Sequence, residues 1–205
     1  MNTFDLLQDL LYLDRDFISS YYEIVTGEAA TTHFTHQEGK KAGAAIPIFS
    51  AELSAVEIKS YNVSSLQMLA KVMPPLSEFP SLDLQSLAGK KQTGYGWING
   101  RLSAAVTRNT RRTPDGNEHV LAEDRYFTLH PSIEPSLALI TAESNFQSGV
   151  NALTRLQSTI LKDFSLNVRA FLRVLPSSTH IGHLVAIPLV VLEAKDEAGG
   201  AGNHD

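Results

Sequence analysis

The alternation of apolar and polar residues is clearest near the C-terminus, between Ser165 and Lys195. In the first half of this stretch, small or aliphatic residues occupy every second position: Val168, Ala170, Leu172 and Val174. A period of two predicts a β-strand with one buried face. The run Leu184–Leu192 is almost wholly aliphatic and predicts a second strand, buried on both faces. Pro188 has no N–H to donate, so this strand is expected to be bulged there or to lie at a sheet edge.

Three stretches have the period of an amphipathic helix. The first has Asp14 as its N-cap and Gly27 as its stop. Its apolar face consists of Phe17, Ile18, Tyr21, Ile24 and Val25. The second begins with a capping box between Ser64 and Gln67, and Pro74-Pro75 is expected to stop it or to restart it as a new turn. The third begins with the capping box Ser144 and Gln147 and extends to Phe164.

The remaining strand signals lie between these helices. Residues 46–61 contain strand-type sequence, and 94–130 predict a hairpin around the turn Thr113-Pro114-Asp115-Gly116. A short strand is predicted at 137–141, while Leu10–Leu13 fits a short strand or part of a helix equally well. Residues 28–45 contain Phe34 as their single large apolar side chain, and we expect a long mobile loop there.

The order of these elements is helix, strands, helix, hairpin, helix and strand pair. This order predicts an α+β fold with a mostly antiparallel sheet and three to four helices, because parallel sheets need alternating strands and helices. We expect residues 1–195 to form a single domain. Residues 196–205 are rich in Gly, Ala and acidic residues, and are expected to be a disordered tail.

Composition narrows the classes of protein that fit. The chain has 205 residues, a net charge of −5 and no cysteine, which excludes disulfides, thiolate zinc sites and a cysteine nucleophile. The acidic balance argues against a large nucleic-acid footprint but leaves room for a local basic patch. No stretch reaches the ~18 apolar residues of a membrane span, and Asp5 and Asp9 stand where a signal peptide would be basic. These features predict a soluble, cytoplasmic protein.

Glu57 and Lys59 form a Glu-x-Lys motif on a predicted strand, similar to the core of metal-dependent nucleases. In such a core, Glu57 would hold Mg²⁺ and Lys59 would position the attacking water. A second acidic ligand would have to come from the preceding stretch, which offers Glu38 and Glu52. The alternative is a solvated strand face with cross-strand charge pairs.

Two histidine pairs have the spacing i and i+3: His33 with His36, and His180 with His183. Four imidazoles could bind Zn²⁺ or another transition metal if the two segments met. Exposed histidines at a loop and at a hairpin turn explain the same residues without a metal.

The stretch Gly94–Ile98 resembles, over five residues, the aromatic strand on which cold-shock and other OB-type modules stack bases. Tyr95 and Trp97 would stack on bases, and four arginines of the same hairpin would contact phosphates: Arg101, Arg108, Arg111 and Arg112. This hypothesis is single-stranded nucleic-acid binding. The alternative is a bend in the strand with a packed tryptophan.

Leu11-Tyr12-Leu13-Asp14, followed by Phe17-Ile18-Ser19-Ser20-Tyr21, resembles the opening of an uncharacterised bacterial domain family. Residues 43–50 and the helix at 66–76 are also similar to it, so the resemblance covers about the first 80 residues. Members of this kind include the small component of the two-protein Dodola anti-phage defence system, whose partner resembles a Clp-type AAA+ ATPase. The resemblance implies a bacterial defence setting and a protein partner, and it carries no catalytic residues to this chain.

The sequence assembles no nucleophile elbow, phosphate-binding loop or carboxylate-rich metal helix. We therefore expect a non-enzymatic sensor, adaptor or regulatory subunit without a cofactor. Such a subunit would act in a homo-oligomer or a hetero-complex. The nuclease and the single-strand binder stand as the two alternatives.

Overall fold

Three α-helices and eight β-strands lie wholly within the residues that the computed structural model describes. These residues are 8–38, 55–61, 63–88, 92–112, 115–116, 118–133, 135–147, 150, 164–179 and 182–195. The helices are α1 (Arg15–Thr26), α2 (Ser65–Ser77) and α3 (Leu84–Leu87). The strands are β1 (Leu10–Leu13), β2 (Thr31–Glu38), β3 (Ala55–Tyr61), β4 (Gly94–Arg112), β5 (Glu118–Pro131), β6 (Leu137–Leu139), β7 (Ser165–Ser178) and β8 (Leu184–Glu193).

The chain divides into two compact units, Met1–Arg15 with Pro74–Asp205, and Asp16–Met73. The larger unit holds a six-stranded sheet, and the smaller unit holds the two-stranded sheet of β2 and β3. The predicted α+β class with a mostly antiparallel sheet is confirmed. The extent of the predicted domain, residues 1–195, stays a prediction. No helix in the described part of the chain has the length and hydropathy to cross a membrane.

Five strands of the larger unit close into a barrel. The long strand β4 pairs with β7 from Gly94 to Ser103 and with β5 from Gly100 onward. The ring then continues through β6 to β8, and β8 pairs antiparallel with β7 to complete it. The pairing of β6 with β8 is the parallel step in this ring. β1 pairs with the second half of β8.

Taking β4 to β8 as strands one to five, the order around the ring is one, two, three, five, four. Strands three and five are parallel, and strand one is long enough to pair with both of its neighbours. This connectivity is the topology of the OB-fold, a five-stranded Greek-key barrel. Closure into a ring removes the free edges where the strands meet, whereas β4 beyond Ser103 and β5 before Phe127 extend from the ring as a two-stranded hairpin in the pairings of the described residues.

The barrel interior is filled by apolar side chains that alternate along each strand. Phe127, Leu129, Leu137, Leu172 and Ala186 are all fully buried in this core. Each large side chain buried in this way stabilises the fold by about 1.5–3 kcal/mol. A second buried set lies at alternate positions on the outer face of the barrel, where Trp97 pairs with Phe171 and Phe171 with Val190.

Two glycines of β4 allow neighbouring backbone segments to approach this strand closely. A Cβ on Gly96 would lie 2.5 Å from the carbonyl oxygen of Pro80, and one on Gly100 would lie 2.8 Å from that of His130. Both neighbours are backbone atoms and cannot rotate away. Glycine is therefore required where residues 80–82 bridge to β4 and where β5 begins to pair with it.

The two strands predicted between Ser165 and Lys195 form as β7 and β8. Val168, Ala170, Leu172 and Val174 all face the barrel core. β7 and β8 pair antiparallel, with a register shift between Phe171↔Val190 and Leu172↔Pro188. The shift is a bulge, so the predicted irregularity at Pro188 is confirmed, and it occurs within a strand that has neighbours on both sides.

In the smaller unit, the predicted loop over 28–45 is wrong for Thr31–Glu38. These residues form β2, which pairs antiparallel with β3 from Thr31↔Tyr61 to Glu38↔Ala55. The loop prediction rested on the lack of apolar side chains, but backbone pairing with a neighbouring strand does not require them. The rest of the predicted loop, 39–45, lies outside the described residues.

Helix α1 forms where predicted, but its predicted apolar face is only partly buried. Ile18 and Tyr22 are buried, whereas Ile24 is 78% exposed and Val25 is 42% exposed. The buried face is centred about a quarter turn away from the predicted one and includes Ser19. Periodicity located the helix, and packing selected which side of it is buried.

Two other predictions need correction. Helix α2 continues through Pro74 and Pro75 to Ser77, because the proline φ is compatible with a helix and the cost is a missing hydrogen bond. Between α2 and β4, the chain also forms the short helix α3, capped by Asp83. The helix predicted from Ser144 does not begin there, because Glu143–Asn145 form a 3-10 turn and Phe146 bridges to Tyr12. Residues 151–163 of that helix lie outside the described residues.

Candidate functional site

The outer face of β4 and β7 carries a basic, acid-free surface. The two strands together contain six arginines and no aspartate, glutamate or lysine, although the chain as a whole has net charge −5. Tyr95 pairs with Arg173 and Asn99 with Arg169. All four side chains are exposed. We call Tyr95, Asn99, Arg101, Arg169 and Arg173 the basic face.

Aromatic rings support the arginines of the basic face. The Arg169 guanidinium lies 4.5 Å from the centroid of the Trp97 ring, and that of Arg173 lies 5.8 Å from the Tyr95 ring. Such cation–π contacts orient the guanidinium groups, and both arginine side chains remain exposed to solvent. The Nε of Arg101 donates to the Ser165 hydroxyl at 3.0 Å.

The two aromatic candidates differ in accessibility. Trp97 is 3% exposed, and its Nε1 donates to the Leu76 carbonyl oxygen at 2.6 Å. Its ring also packs against Phe171, with centroids 5.2 Å apart. Both ring faces are therefore occupied within the protein, as expected of a packed tryptophan at a bend. Tyr95 is 42% exposed and remains accessible to a ligand.

The hairpin arginines lie in a different electrostatic setting. Arg108 is exposed and pairs in register with Glu123, and Arg112 pairs with Glu118. Arg111 pairs with His119, and the side chains of Arg111 and Arg112 lie outside the described residues. The β4–β5 pair thus mixes both signs of charge, unlike the β4–β7 pair. Arg169 and Arg173 were missed as candidates, although their alternation with apolar residues already predicted exposed positions.

A second candidate surface lies on α1. Phe17, Tyr21, Ile24 and Val25 have the helical spacing i, i+4, i+7 and i+8, and we call them the α1 stripe. The Phe17 and Tyr21 rings are stacked, with centroids 5.8 Å apart and planes inclined by 7°. Both rings are half-buried, and Ile24 and Val25 are exposed. The stripe thus presents aromatic and aliphatic area side by side.

Carboxylates accompany the α1 stripe. Asp16, Glu23 and Glu28 are all exposed. The Glu28 carboxylate accepts a hydrogen bond from the Tyr22 hydroxyl at 2.7 Å, and Glu23 accepts one from the Ala30 N–H at 2.9 Å. Both donors are neutral, so these two hydrogen bonds leave the negative charges of Glu23 and Glu28 in place. The hydrogen bond to Glu28, with burial, raises the pKa of Tyr22 above its usual 10.0.

A groove of about 280 Å³ crosses the outer face of the barrel over β4, β5, β6 and β8. Its lining includes Tyr126, Ala138, Ile140 and Val185, and no charged side chain contributes to it. This face corresponds to the strands that bind ligands in OB-type barrels. Its apolar lining does not match a phosphate backbone.

Hydrogen-bonded side chains connect Ser103, Thr128, His130 and Ser136. The Thr128 hydroxyl lies 2.9 Å from both the Ser103 hydroxyl and His130 Nε2, and His130 Nδ1 lies 2.9 Å from the Ser136 hydroxyl. A serine beside a histidine resembles an activated nucleophile. Ser136 is buried, however, and the other histidine nitrogen contacts a hydroxyl group, not an orienting carboxylate. We interpret this network as structural.

The histidine metal hypothesis stays untested, because only His183 of its four residues has a described side chain. The His183 ring lies 6.3 Å from the His130 ring, and no group of three or more His, Cys, Asp or Glu within the described residues could hold a metal ion. His33 and His36 lie on β2 with undescribed side chains, and His180 lies outside the described residues.

Glu57 and Lys59 lie on β3, as predicted. In the β2–β3 ladder, Glu57 pairs with His36 and Lys59 with Phe34. Their side chains are not described, so the nuclease hypothesis stays a prediction.

Comparison with protein-family models, with curated proteins and with solved structures finds no match for this chain. The fold class therefore rests on strand connectivity, and any function must be argued from the surfaces described above.

Proposed function

We propose that this chain is a non-enzymatic adaptor or regulatory subunit that binds a protein partner through the α1 stripe. The observation that carries this proposal is the exposure of Ile24, 78%, beside the stacked pair Phe17 and Tyr21. Burying apolar area of this kind stabilises a complex by about 25 cal/mol per Å² before the costs of association. Aromatic residues at the centre of an exposed stripe are also typical of binding hot spots.

The charges near the α1 stripe indicate which kind of surface a partner would have. Asp16 and Glu23 lie on the exposed side of α1, and Glu28 follows its end. A complementary surface would have an apolar ridge bordered by lysine or arginine. A second copy of this chain is a poor fit, because an isologous contact would bring the same carboxylates together. We therefore favour a hetero-complex over a homo-oligomer.

The resemblance of the N-terminal residues implies a candidate for that partner, the Clp-type AAA+ ATPase of a two-protein anti-phage system. The resemblance and the α1 stripe fall in the same part of the chain, because Phe17 and Tyr21 belong to both. We propose this ATPase as the first partner to test. Binding there would place the protein in bacterial antiviral defence as a complex subunit.

The test measures binding of the purified ATPase to the full chain by calorimetry, at low and at high salt. We expect binding that weakens as salt rises, because exposed charges are screened. Ile24→Glu should abolish the complex, since it places a charge in the apolar stripe. Val120→Glu is the matched control, because Val120 is 55% exposed on β5, and it should bind like the wild type. A wild-type chain that does not bind the ATPase, or an Ile24→Glu variant that binds normally, would contradict the proposal.

A second function is favoured by a separate observation, the absence of acidic residues on β4 and β7. Their arginines could contact the phosphates of single-stranded nucleic acid while Tyr95 stacks on a base. In this second function, the residues of the basic face take the roles that the single-strand binding hypothesis gave to Trp97 and to most of the hairpin arginines. The net charge of −5 limits such binding to this surface.

The test uses fluorescence anisotropy with a labelled oligothymidylate at two salt concentrations. Strand binding predicts a steep loss of affinity with salt, and weaker binding by Arg173→Gln and Tyr95→Ala. Lys71→Gln is the control, because it removes the same positive charge at an exposed position in the smaller unit. Equal losses in Arg173→Gln and Lys71→Gln would mean that net charge alone is responsible, and would reject this second function.

A further inference from the structure

A cleft of about 470 Å³ opens beside β4, and it shares one residue, Asn99, with the basic face. One wall is formed by residues 81–85, the opposite wall by 131–133, and Ile98 and Asn99 lie between them. All of these residues belong to the larger unit. Its volume is in the range of small-molecule sites, about 300–1,000 Å³.

The strand pairing explains why the cleft exists. Residues 80–82 contact β4 at Trp97, through hydrogen bonds from Trp97 N–H to Pro80 and from Leu82 N–H to Trp97. β5 begins to pair with β4 at Gly100. Residues 80–82 and β5 are therefore separated from each other alongside Ile98 and Asn99, and the cleft lies in this gap. The close approaches at Gly96 and Gly100 hold both walls in place, so the cleft is built into the barrel.

The lining selects a type of ligand. Apolar side chains on both walls, among them Leu82 and Ile133, suit the faces of a flat ring. The polar groups are Ser81, Asp83, Gln85, Asn99 and Ser132. This lining includes one carboxylate and no cation, so an anion is disfavoured. The Asp83 carboxylate is also engaged as the cap of α3, accepting from Ser86 N–H at 3.1 Å.

We propose that this cleft binds an adenine-type nucleobase, with Asn99 reading its edge. An asparagine amide offers one donor and one acceptor side by side, and this pair matches the N7 acceptor and N6 donor of adenine. The hydroxyls of Ser81 and Ser132 would form hydrogen bonds with the ribose. The base could come from a free nucleoside or from a nucleic-acid strand. This inference does not depend on the α1 stripe or on the arginines of the basic face, although the cleft and the basic face share Asn99.

The experiment uses the full chain with adenosine and with a short oligodeoxyadenylate, monitored by saturation-transfer NMR and calorimetry. Cytidine is the control ligand, because its edge has a different pattern of donors and acceptors. We expect adenosine to bind more tightly than cytidine. Asn99→Asp removes the donor while keeping the shape, and should weaken adenosine binding roughly tenfold or more.

A second variant tests the location independently of hydrogen bonding. Ile133 is 66% exposed on the rim, so Ile133→Trp should fold normally while filling the cleft. Val120→Trp is the matched control on an exposed position away from the cleft. Loss of adenosine binding in Ile133→Trp alone supports the site. Binding of the oligonucleotide but not the nucleoside, with the same loss, assigns the base to a strand.

Two results would overturn the inference. The first is no saturation transfer to adenosine or to the oligodeoxyadenylate. The second is binding that Asn99→Asp and Ile133→Trp leave unchanged, which would place any adenine site elsewhere.

Discussion

The indole nitrogen of Trp97 donates a hydrogen bond of 2.6 Å to the backbone carbonyl oxygen of Leu76 in a buried setting. The same ring packs against Phe171, which in turn contacts Phe79 at 5.1 Å. Trp97 thus joins β4 and β7 to the segment that precedes α3. Its role is to hold the outer layer of the larger unit together.

Replacing Trp97 by Phe should therefore destabilise the protein. The variant removes the indole N–H, while the Leu76 carbonyl oxygen keeps its hydrogen bond from the Phe79 N–H at 3.2 Å. Loss of one buried hydrogen bond costs about 0.5–1.5 kcal/mol in the free energy of unfolding, and the smaller ring adds a packing loss to this. Urea denaturation measures this change. The matched variant Tyr95→Phe, at a position 42% exposed, should change stability by no more than about 0.5 kcal/mol. Equal stability of both variants would show that the Trp97 hydrogen bond contributes nothing.

Gly100→Ala should destabilise the barrel through a backbone clash. The added Cβ would lie 2.8 Å from the His130 carbonyl oxygen and 3.1 Å from Pro131 Cα, so β5 would have to shift. Forcing extra volume into a packed site costs about 1–3 kcal/mol. Thermal or urea unfolding measures the loss.

Gly94→Ala is the control for this clash. Its Cβ would meet the methyl groups of Leu87 at 2.8 and 3.0 Å, and that side chain is half-buried and can change rotamer. We expect a smaller loss than for Gly100→Ala. The reverse order would contradict the argument that close backbone approach, not crowding in general, requires glycine at position 100.

Ile18 and Ile24 offer a matched test of which side of α1 is packed. Ile18 is fully buried, so Ile18→Ala should cost about 2–5 kcal/mol of unfolding free energy. Ile24→Ala should change it by no more than about 0.5 kcal/mol, because Ile24 is exposed. Urea denaturation of the two variants decides the point. A large loss in Ile24→Ala would mean that the α1 stripe is covered in the isolated protein, which would remove the basis of the proposed docking surface.

Tyr22 should contribute a pH-dependent part of the stability. Its hydrogen bond to Glu28 raises the pKa of the phenol above 10.0 in the folded protein. The unfolded phenol therefore ionises first, so this contribution is fully present below the unfolded pKa and decreases as pH rises through the folded one. The stability difference between wild type and Tyr22→Phe should shrink from about pH 8 to about pH 11. A difference that is constant over this range would contradict the assignment.

Much of the fold follows from local patterns. The period of two in residues 168–174, the turn signal at 113–116 and the helix after Asp14 are all properties of short segments. The structure confirms the strand β7, the hairpin of β4 and β5 and the helix α1. The strand β2 was missed because its polar side chains contain no periodic apolar signal. Its conformation depends on hydrogen bonds to β3, a partner that no local pattern indicates.

The candidate surfaces required the tertiary structure for a related reason. The sequence alone shows that the chain has aromatic residues and arginines on strands, and an apolar side on α1. It does not show that Trp97 is covered while Ile24 is exposed, or that Arg169 lies beside Asn99 across two strands. Periodicity specifies which side chains share a face of their own element. Whether that face is buried or accessible depends on what packs against it, and that is decided by contacts between residues far apart in the chain.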